Sequence, residues 1–274
     1  MSGKLYVVGT PIGNLGDLSP RAAATLEAVD FIAAEDTRVT VKLLNHLGIK
    51  KQMISYHEHN KTQRRDEIIE RLTAGETCAV VTDAGMPAIS DPGEDLVRSC
   101  RELGIEVESV PGPSAVITAL AVSGMPAGRF AFEGFLSVNK PQRKEHLESV
   151  KRDRRTLIFY EAPHKLAATL NDMLAVFGDR SIALVKELTK VHESCERTTL
   201  SAAAKKYFEE APKGEYVVIV EGAKETDHEP VTLEEAVKYA KELVKKGQSL
   251  SAAAKSAAAV SGFRKNEIYA ELIK

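Results

Sequence analysis

Residues 5–38 read LYVVGTPIGNLGDLSPRAAATLEAVDFIAAEDTR. The stretch opens on a short β-branched apolar run, LYVV (5–8), turns through glycines and a proline, continues as a helical pattern and ends on a second apolar run, FIAA (31–34). Strand, helix and strand at this spacing form a βαβ unit, and repeated units form a mainly parallel sheet. Ser19-Pro20 marks the helix start, because serine caps the first free N–H groups and proline suits the first helical position.

The rhythm continues outward from that unit. MISY (53–56) precedes KTQRRDEIIERLTAG, CAVVTD (78–83) precedes DPGEDLVRSCRELG, and IEVESV (105–110) precedes PGPSAVITALAVSG. These runs are apolar on both faces, as a sheet covered on both sides requires. Asp91-Pro92-Gly93-Glu94 predicts a second capped helix start, and Gly75 and Gly104 stand where helices should stop. The break at Ser123-Gly128 predicts a boundary, giving an α/β domain over 1–122 and a second over 128–224. The second half places FAFEGF, TLIFYEA, SIALVKEL, SCERTTL and YVVIVEG around a basic helix, KPQRKEHLESVKRDRR (140–155), with more hairpin-like spacing. Thr232 and Glu235 form a capping box, Ser249 or Ser251 caps an alanine-rich helix, and a turn at Ser261-Gly262 precedes a third helix. Residues 230–274 therefore read as a small helix-turn-helix-like appendage.

The 274 residues suit about two domains, and 43% hydrophobic with 28% charged residues is ordinary for a globular chain. The net charge of −2 argues against a uniformly basic nucleic-acid binder, yet it hides an uneven distribution. The tail from 232 carries 8 Lys+Arg against 5 Asp+Glu, and the rest carries 29 against 34. Three cysteines without close spacing predict free thiols in a reducing cytoplasm rather than disulfides or a zinc site. No apolar run approaches the ~18 residues of a membrane span, and the N-terminus lacks a signal-peptide pattern.

Ligands of open α/β sheets bind beyond the carboxyl ends of the strands, which singles out the following loops. GTPIGNLG (9–16) has neither the dinucleotide glycine spacing nor a P-loop lysine. It predicts a tight turn with exposed backbone, or an ordinary strand–helix connection. AEDTR (34–38) puts Glu35, Asp36 and Arg38 at a strand end, either as chemistry or as a helix cap with a solvated neighbour. YHEHN (56–60), followed by Arg64 and Arg65, holds too few ligands for a metal and reads as a polar rim or RNA-contact loop. TDAGMPAISDPG (82–93) is a long loop of restricted residues, and VPGPSA (110–115) is rigid at its prolines.

GTPIGNLGDLSPRA, AEDTR, SYHEHN, VTDAGMPAISDPG, VPGPSA, FYEAPHK, KELTK and GEYVVIVEG, taken in order, resemble the tetrapyrrole methylase family of S-adenosylmethionine-dependent methyltransferases, and within it a branch that acts on ribosomal RNA. The resemblance runs from residue 4 to the end. It implies two α/β domains with S-adenosylmethionine in the cleft between them, a homodimer, and 2′-O-ribose methylation of a cytidine in 16S ribosomal RNA of the small subunit. It implies cofactor contacts from Pro11 and Ile12, from Asp83, Gly85 and Met86 where the family has a Gly-Asp-Pro loop, and from Ser114 and Ala115. In the second domain it implies Tyr160, Glu161, Leu188 and Glu215.

Transfer from a sulfonium needs alignment and no metal, whereas a weakly acidic 2′-hydroxyl profits from a base. Candidates are Glu35, Asp36, Glu187 and Lys190, with a structural ion pair as the plain alternative for each. Substrate contacts are expected from Arg38, His57, Asn60, Arg64, Arg65 and His164, and in the tail from Lys245, Lys246, Arg264 and Lys265. The patch Lys140/Arg143/Lys144 with Lys151, Arg152, Arg154 and Arg155 is a further candidate, since RNA affinity rests largely on phosphate neutralisation. Two other readings remain open: carbon methylation of a tetrapyrrole, and a non-catalytic RNA-binding assembly factor.

Overall fold

The computed structural model describes residues 3–224 and 232–273. The chain divides into two compact units, one ending at Glu221 and one beginning at Gly222. The expected tail boundary at 230 lies outside the described residues.

The larger unit begins with β1 (Lys4–Val8), a 3-10 turn (Leu15–Asp17), α1 (Pro20–Ala28), β2 (Phe31–Ala34), α2 (Thr37–Leu47), β3 (Gln52–Ser55) and α3 (Lys61–Thr73). It continues through β4 (Cys78–Val81), α4 (Glu94–Glu102), β5 (Glu106–Val110) and α5 (Ala115–Ser123). The five strands form one parallel sheet in the order β3-β2-β4-β1-β5. Alternate residues along each strand feed opposite faces. Leu5, Phe31, Ala33 and Val80 pack on Ile68, Leu72 and Leu96 of α3 and α4. Val8, Ile32, Ala34 and Val81 pack on Ala22, Leu26, Leu43 and Leu44 of α1 and α2. The near-continuous apolar runs follow from this double coverage.

The second half comprises β6 (Phe130–Phe135), α6 (Lys140–Val150), β7 (Thr156–Glu161), α7 (Pro163–Phe177), β8 (Ser181–Lys186), β9 (Ser194–Thr199), α8 (Leu200–Glu209) and β10 (Tyr216–Val220). Its sheet runs β6-β7-β10-β8-β9. Only β6 and β7 pair in parallel; β7-β10, β10-β8 and β8-β9 are antiparallel. One face is covered by α6, α7 and α8 through Leu147, Leu170, Met173 and Leu200. The other face, Ile158, Ala183, Val185, Val217 and Ile219, packs on Val116, Ala119 and Leu120 of α5. A helix from the first half therefore completes the core of the second.

Two local expectations need correction. Helix α4 does not start on Asp91: its N-cap is Gly93, at φ 133 and without a side-chain cap, so the Asp91 carboxylate is left for other contacts. The basic helix stops at Val150, and its charges are largely spent internally. Arg143 is turned onto Asp172 at 2.7 Å, Arg155 onto Asp153 at 2.5 Å and Lys151 onto Glu148 at 3.6 Å.

The smaller unit holds α9 (Leu233–Lys245), α10 (Leu250–Ser261) and α11 (Lys265–Leu272). Thr232 and Glu235 form the expected capping box, Ser249 caps α10, and Gly262 ends α10 in the left-handed conformation. Ala236, Ala240, Ala253, Ala254 and Ala257 are fully buried, so the alanine run is a packing surface that lets helices approach closely.

Candidate active site

Backbone contacts bring the loops of the first sheet together. Thr10 and Gly85 exchange N–H···O bonds of 2.9 and 3.1 Å, tying the loop after β1 to the loop after β4. The buried Thr10 hydroxyl donates to the Thr82 carbonyl at 3.1 Å. Gly9 and Gly112 lie backbone against backbone: a Cβ on Gly112 would stand 2.8 Å from Gly9 Cα. A Cβ on Gly13 would stand 2.7 Å from Lys190 Cγ, so this glycine admits the segment after β8.

These loops, with the ends of β7 and β8 and the start of β10, enclose a cavity of about 560 Å³. Ile12, Met86, Leu188 and Val217 supply apolar wall. Glu35, Asp83, Asp91, Glu161 and Glu215 supply carboxyl groups, His164 is present, and the lining includes no lysine or arginine. Gly85, Ser114, Ala115 and Tyr160 complete the predicted set that the fold gathers here. Ser114 makes no side-chain cap, so the N-terminus of α5 opens toward the lining. The Val116 N–H instead meets the Tyr160 hydroxyl, and burial pushes the Tyr160 phenol up to about 12. Tyr160 meets the ring of Phe132 edge-on and that of Phe135 at a tilt, with ring-centre distances of 4.9 and 5.3 Å.

The carboxyl groups sit in different states. The Asp83 N–H donates to Glu35 at 3.3 Å, and the Asp36 N–H donates to Asp83 at 3.1 Å. Burial nevertheless raises both Glu35 and Asp83, reinforced by their charged neighbours. Glu161 is buried; it accepts the Ala162 N–H at 2.8 Å and the Thr169 hydroxyl at 2.5 Å, fixing the start of α7. Asp91 has no hydrogen-bonding partner among the described residues, and burial followed by repulsion from Glu35 and Asp83 pushes it up to about 6.

Other expected site residues stand outside the lining. Pro11 precedes Ile12 in the same loop without lining the cavity. Asp36 caps α2 by accepting the Arg38 N–H at 2.8 Å and pairs with the Arg38 guanidinium, which holds its carboxyl down to about 2. That makes it a weak proton acceptor. Lys190 bridges Glu215 at 2.8 Å and Glu187 at 3.1 Å; these partners raise its pKa, so it is a cation rather than a neutral base. Glu187 is lowered, first by the Glu215 N–H and then by Lys190. Asn60 accepts the His57 N–H at 2.9 Å, while Arg64 and Arg65 pair with Glu67 and Asp66 at 2.6 and 3.0 Å. Lys245, Lys246, Arg264 and Lys265 are exposed on the smaller unit.

Ile89, Asp91, Phe135, Tyr216 and Val217 also line the cavity without having been singled out. Asp91 was hidden by its resemblance to a helix cap. Tyr216 and Val217 read as plain strand, since only sheet pairing shows which end of β10 meets the cavity.

A model of the tetrapyrrole (corrin/porphyrin) methylases matches residues 4–204. A Synechocystis protein named ribosomal RNA small subunit methyltransferase I is 46% identical over 268 residues, 97% of this chain and 96% of its own. A Thermotoga maritima protein of the same name is 48% identical over 220 residues, 80% of this chain and 99% of its own. A crystal structure of uroporphyrin-III C-methyltransferase from Thermus thermophilus, complexed with S-adenosylhomocysteine, superposes with a TM-score of 0.56 at 18% identity, covering 79% of this chain and 97% of its own. The matched family model spans the first sheet, every strand of the second but β10, and all of the cavity lining except Glu215, Tyr216 and Val217, and the chain belongs to the tetrapyrrole methylase family.

Proposed function

We propose that this protein uses S-adenosylmethionine to methylate the ribose 2′-oxygen of a cytidine in 16S ribosomal RNA. The observation that carries the reading is the near-full-length similarity to proteins named for methylation of small-subunit ribosomal RNA. Carbon methylation of a tetrapyrrole has behind it the family match and a fold likeness at 18% identity, against 46% shared with the Synechocystis protein.

The residues of the cavity fit the donor. Its volume of about 560 Å³ lies within the range of small-ligand sites. A sulfonium and an ammonium suit a lining with carboxylates and no fixed cation, and an adenine suits Ile12, Met86, Leu188 and Val217. Gly85, Ser114 and Ala115 would hold the donor by close backbone approach. The bound donor supplies an already activated methyl group, so the protein's task is to align it with the attacking oxygen. The carboxylates of the lining assist by favouring positive charge, and Phe135 and Tyr160 supply one aromatic wall. His164, Arg38 and Lys190 are the proposed contacts to RNA phosphates, supplemented by the exposed lysines and arginines of the smaller unit.

No helix among the described residues is long and apolar enough to cross a membrane. A cytoplasmic homodimer acting on the small ribosomal subunit completes the proposal. Its test is a map of methylated riboses in 16S ribosomal RNA from cells with and without the protein. Loss of one 2′-O-methyl cytidine is expected on deletion; an unchanged map refutes the reading.

A further inference from the structure

The loop between β4 and α4 presents its side chains in a pattern that a mere connection does not require. Ala88 and Ser90 are both left-handed, at φ 68 and 62. Such a conformation strains a non-glycine residue and persists only where surroundings over-determine it. A bond from the Ala88 N–H to the Pro92 carbonyl, 3.3 Å, closes the turn. Ile89 and Asp91 line the cavity as a result. Ser90 points elsewhere: its hydroxyl would stand 3.3 Å from a Cβ on Gly134, in the bulge of β6.

We propose that Asp91 is the general base of the methyl transfer, accepting the proton of the ribose 2′-hydroxyl. The inference rests on the functional reading above and adds the residue that performs its proton step. Among the carboxyls of the lining, Glu35 is occupied by the Asp83 N–H, Asp83 by the Asp36 N–H, Glu161 by Ala162 and Thr169, and Glu215 by Lys190. Asp91 alone among these has no such partner in the described residues. Glu35, Asp83 and Tyr160 face it from other elements, and burial with the two carboxylates brings its pKa to about 6. A base poised near the working pH is ionised and still takes a proton well.

The step balances. The 2′ O–H bond breaks and the proton passes to the Asp91 carboxylate. The oxygen pair forms the new O–C bond as the C–S bond of the sulfonium donor breaks, leaving a neutral thioether. Asp91 then returns its proton to solvent through the cavity mouth.

The test uses the full chain and small subunits from cells lacking it, in single-turnover methyl transfer across about pH 5–9. Wild type is expected to show a rate rising through about pH 6. Asp91→Asn should lower the rate at pH 7.5 by about a hundredfold or more and abolish that rise, whereas Glu35→Gln should keep the rise. S-adenosylhomocysteine affinity of Asp91→Asn, by calorimetry at pH 8, should stay within about threefold, and Asp91→Glu should recover part of the rate. In the free protein, carboxyl carbon NMR should lose the resonance titrating near pH 6. The proposal is overturned if Asp91→Asn retains the rate or the pH rise, or loses S-adenosylhomocysteine binding. A wild-type protein that binds S-adenosylhomocysteine but methylates no subunit overturns the functional reading itself, and the proposal with it.

Discussion

Asp91→Asn should stabilise the protein at neutral pH. The carboxyl rises from the ordinary 3.8 to about 6 in the folded state, chiefly by burial. The folded chain therefore holds this proton more tightly than the unfolded chain between about pH 4 and 6, and stability falls as pH rises through that window. Fully counted, the rise corresponds to about 3 kcal/mol at 1.36 kcal/mol per tenfold. The cavity is open to water, and screening reduces the figure to about 1–2 kcal/mol. Asparagine keeps the shape, removes the charge and breaks no hydrogen bond, since none reaches this carboxylate among the described residues. At pH 7.5 the variant should melt about 3–6 °C higher, for a unit of this size. At about pH 4 and below the two proteins should melt together. Scanning calorimetry from pH 3.5 to 8 makes the comparison. A variant that melts lower at pH 7.5, or gains equally at every pH, refutes the argument from a half-buried, repelled carboxylate. Higher stability with lower activity is the trade expected of a functional group held against its own solvation.

Gly112→Ala should cost about 1–3 kcal/mol and weaken S-adenosylhomocysteine binding, because the added methyl meets the Gly9 backbone at 2.8 Å; an unchanged melting temperature would show that the two loops part freely. Lys190→Ala should lower single-turnover methylation by more than about tenfold with S-adenosylhomocysteine affinity kept, since a cation held by Glu187 and Glu215 fits a phosphate contact rather than a donor contact; equal turnover removes it from the site. Ending the chain after Glu221 should leave S-adenosylhomocysteine binding intact and weaken affinity for small subunits, with a shallower salt dependence; unchanged affinity would free the smaller unit of any RNA role. Ser19→Ala should lower stability by about 1 kcal/mol through loss of the 3.1 Å cap to the Ala22 N–H, measured by denaturant unfolding.

Much of the architecture was legible because it is local. The runs LYVV, FIAA and CAVV are strands, the first sheet is parallel, and Ser19, Thr232 and Ser249 cap the helices they precede. Four of the five loops the strand-end rule ranked line the cavity, since that rule needs only the strand order of a βαβ pattern; YHEHN does not, and the walls from the second half lay outside that ranking. What failed to show was partner choice. Asp91-Pro92-Gly93-Glu94 has the letters of a helix start, but the positive φ of Ala88, Ser90 and Gly93 turns the carboxylate into the cavity. Arg143 reads as part of an RNA patch, but packing across to α7 commits it to Asp172.

The sequence by itself determined the elements, their caps, the sheet-covering faces and the family, because these depend on periodicity and on short motifs. The tertiary structure alone decided the charge state of each candidate. Glu35, Asp36, Asp83 and Asp91 are equivalent carboxyls in the chain. Folding caps a helix with Asp36 and holds it near 2, and it leaves Asp91 half-buried beside two like charges near 6. Desolvation and proximity set those values, and both are properties of three-dimensional neighbours that no spacing along the chain encodes.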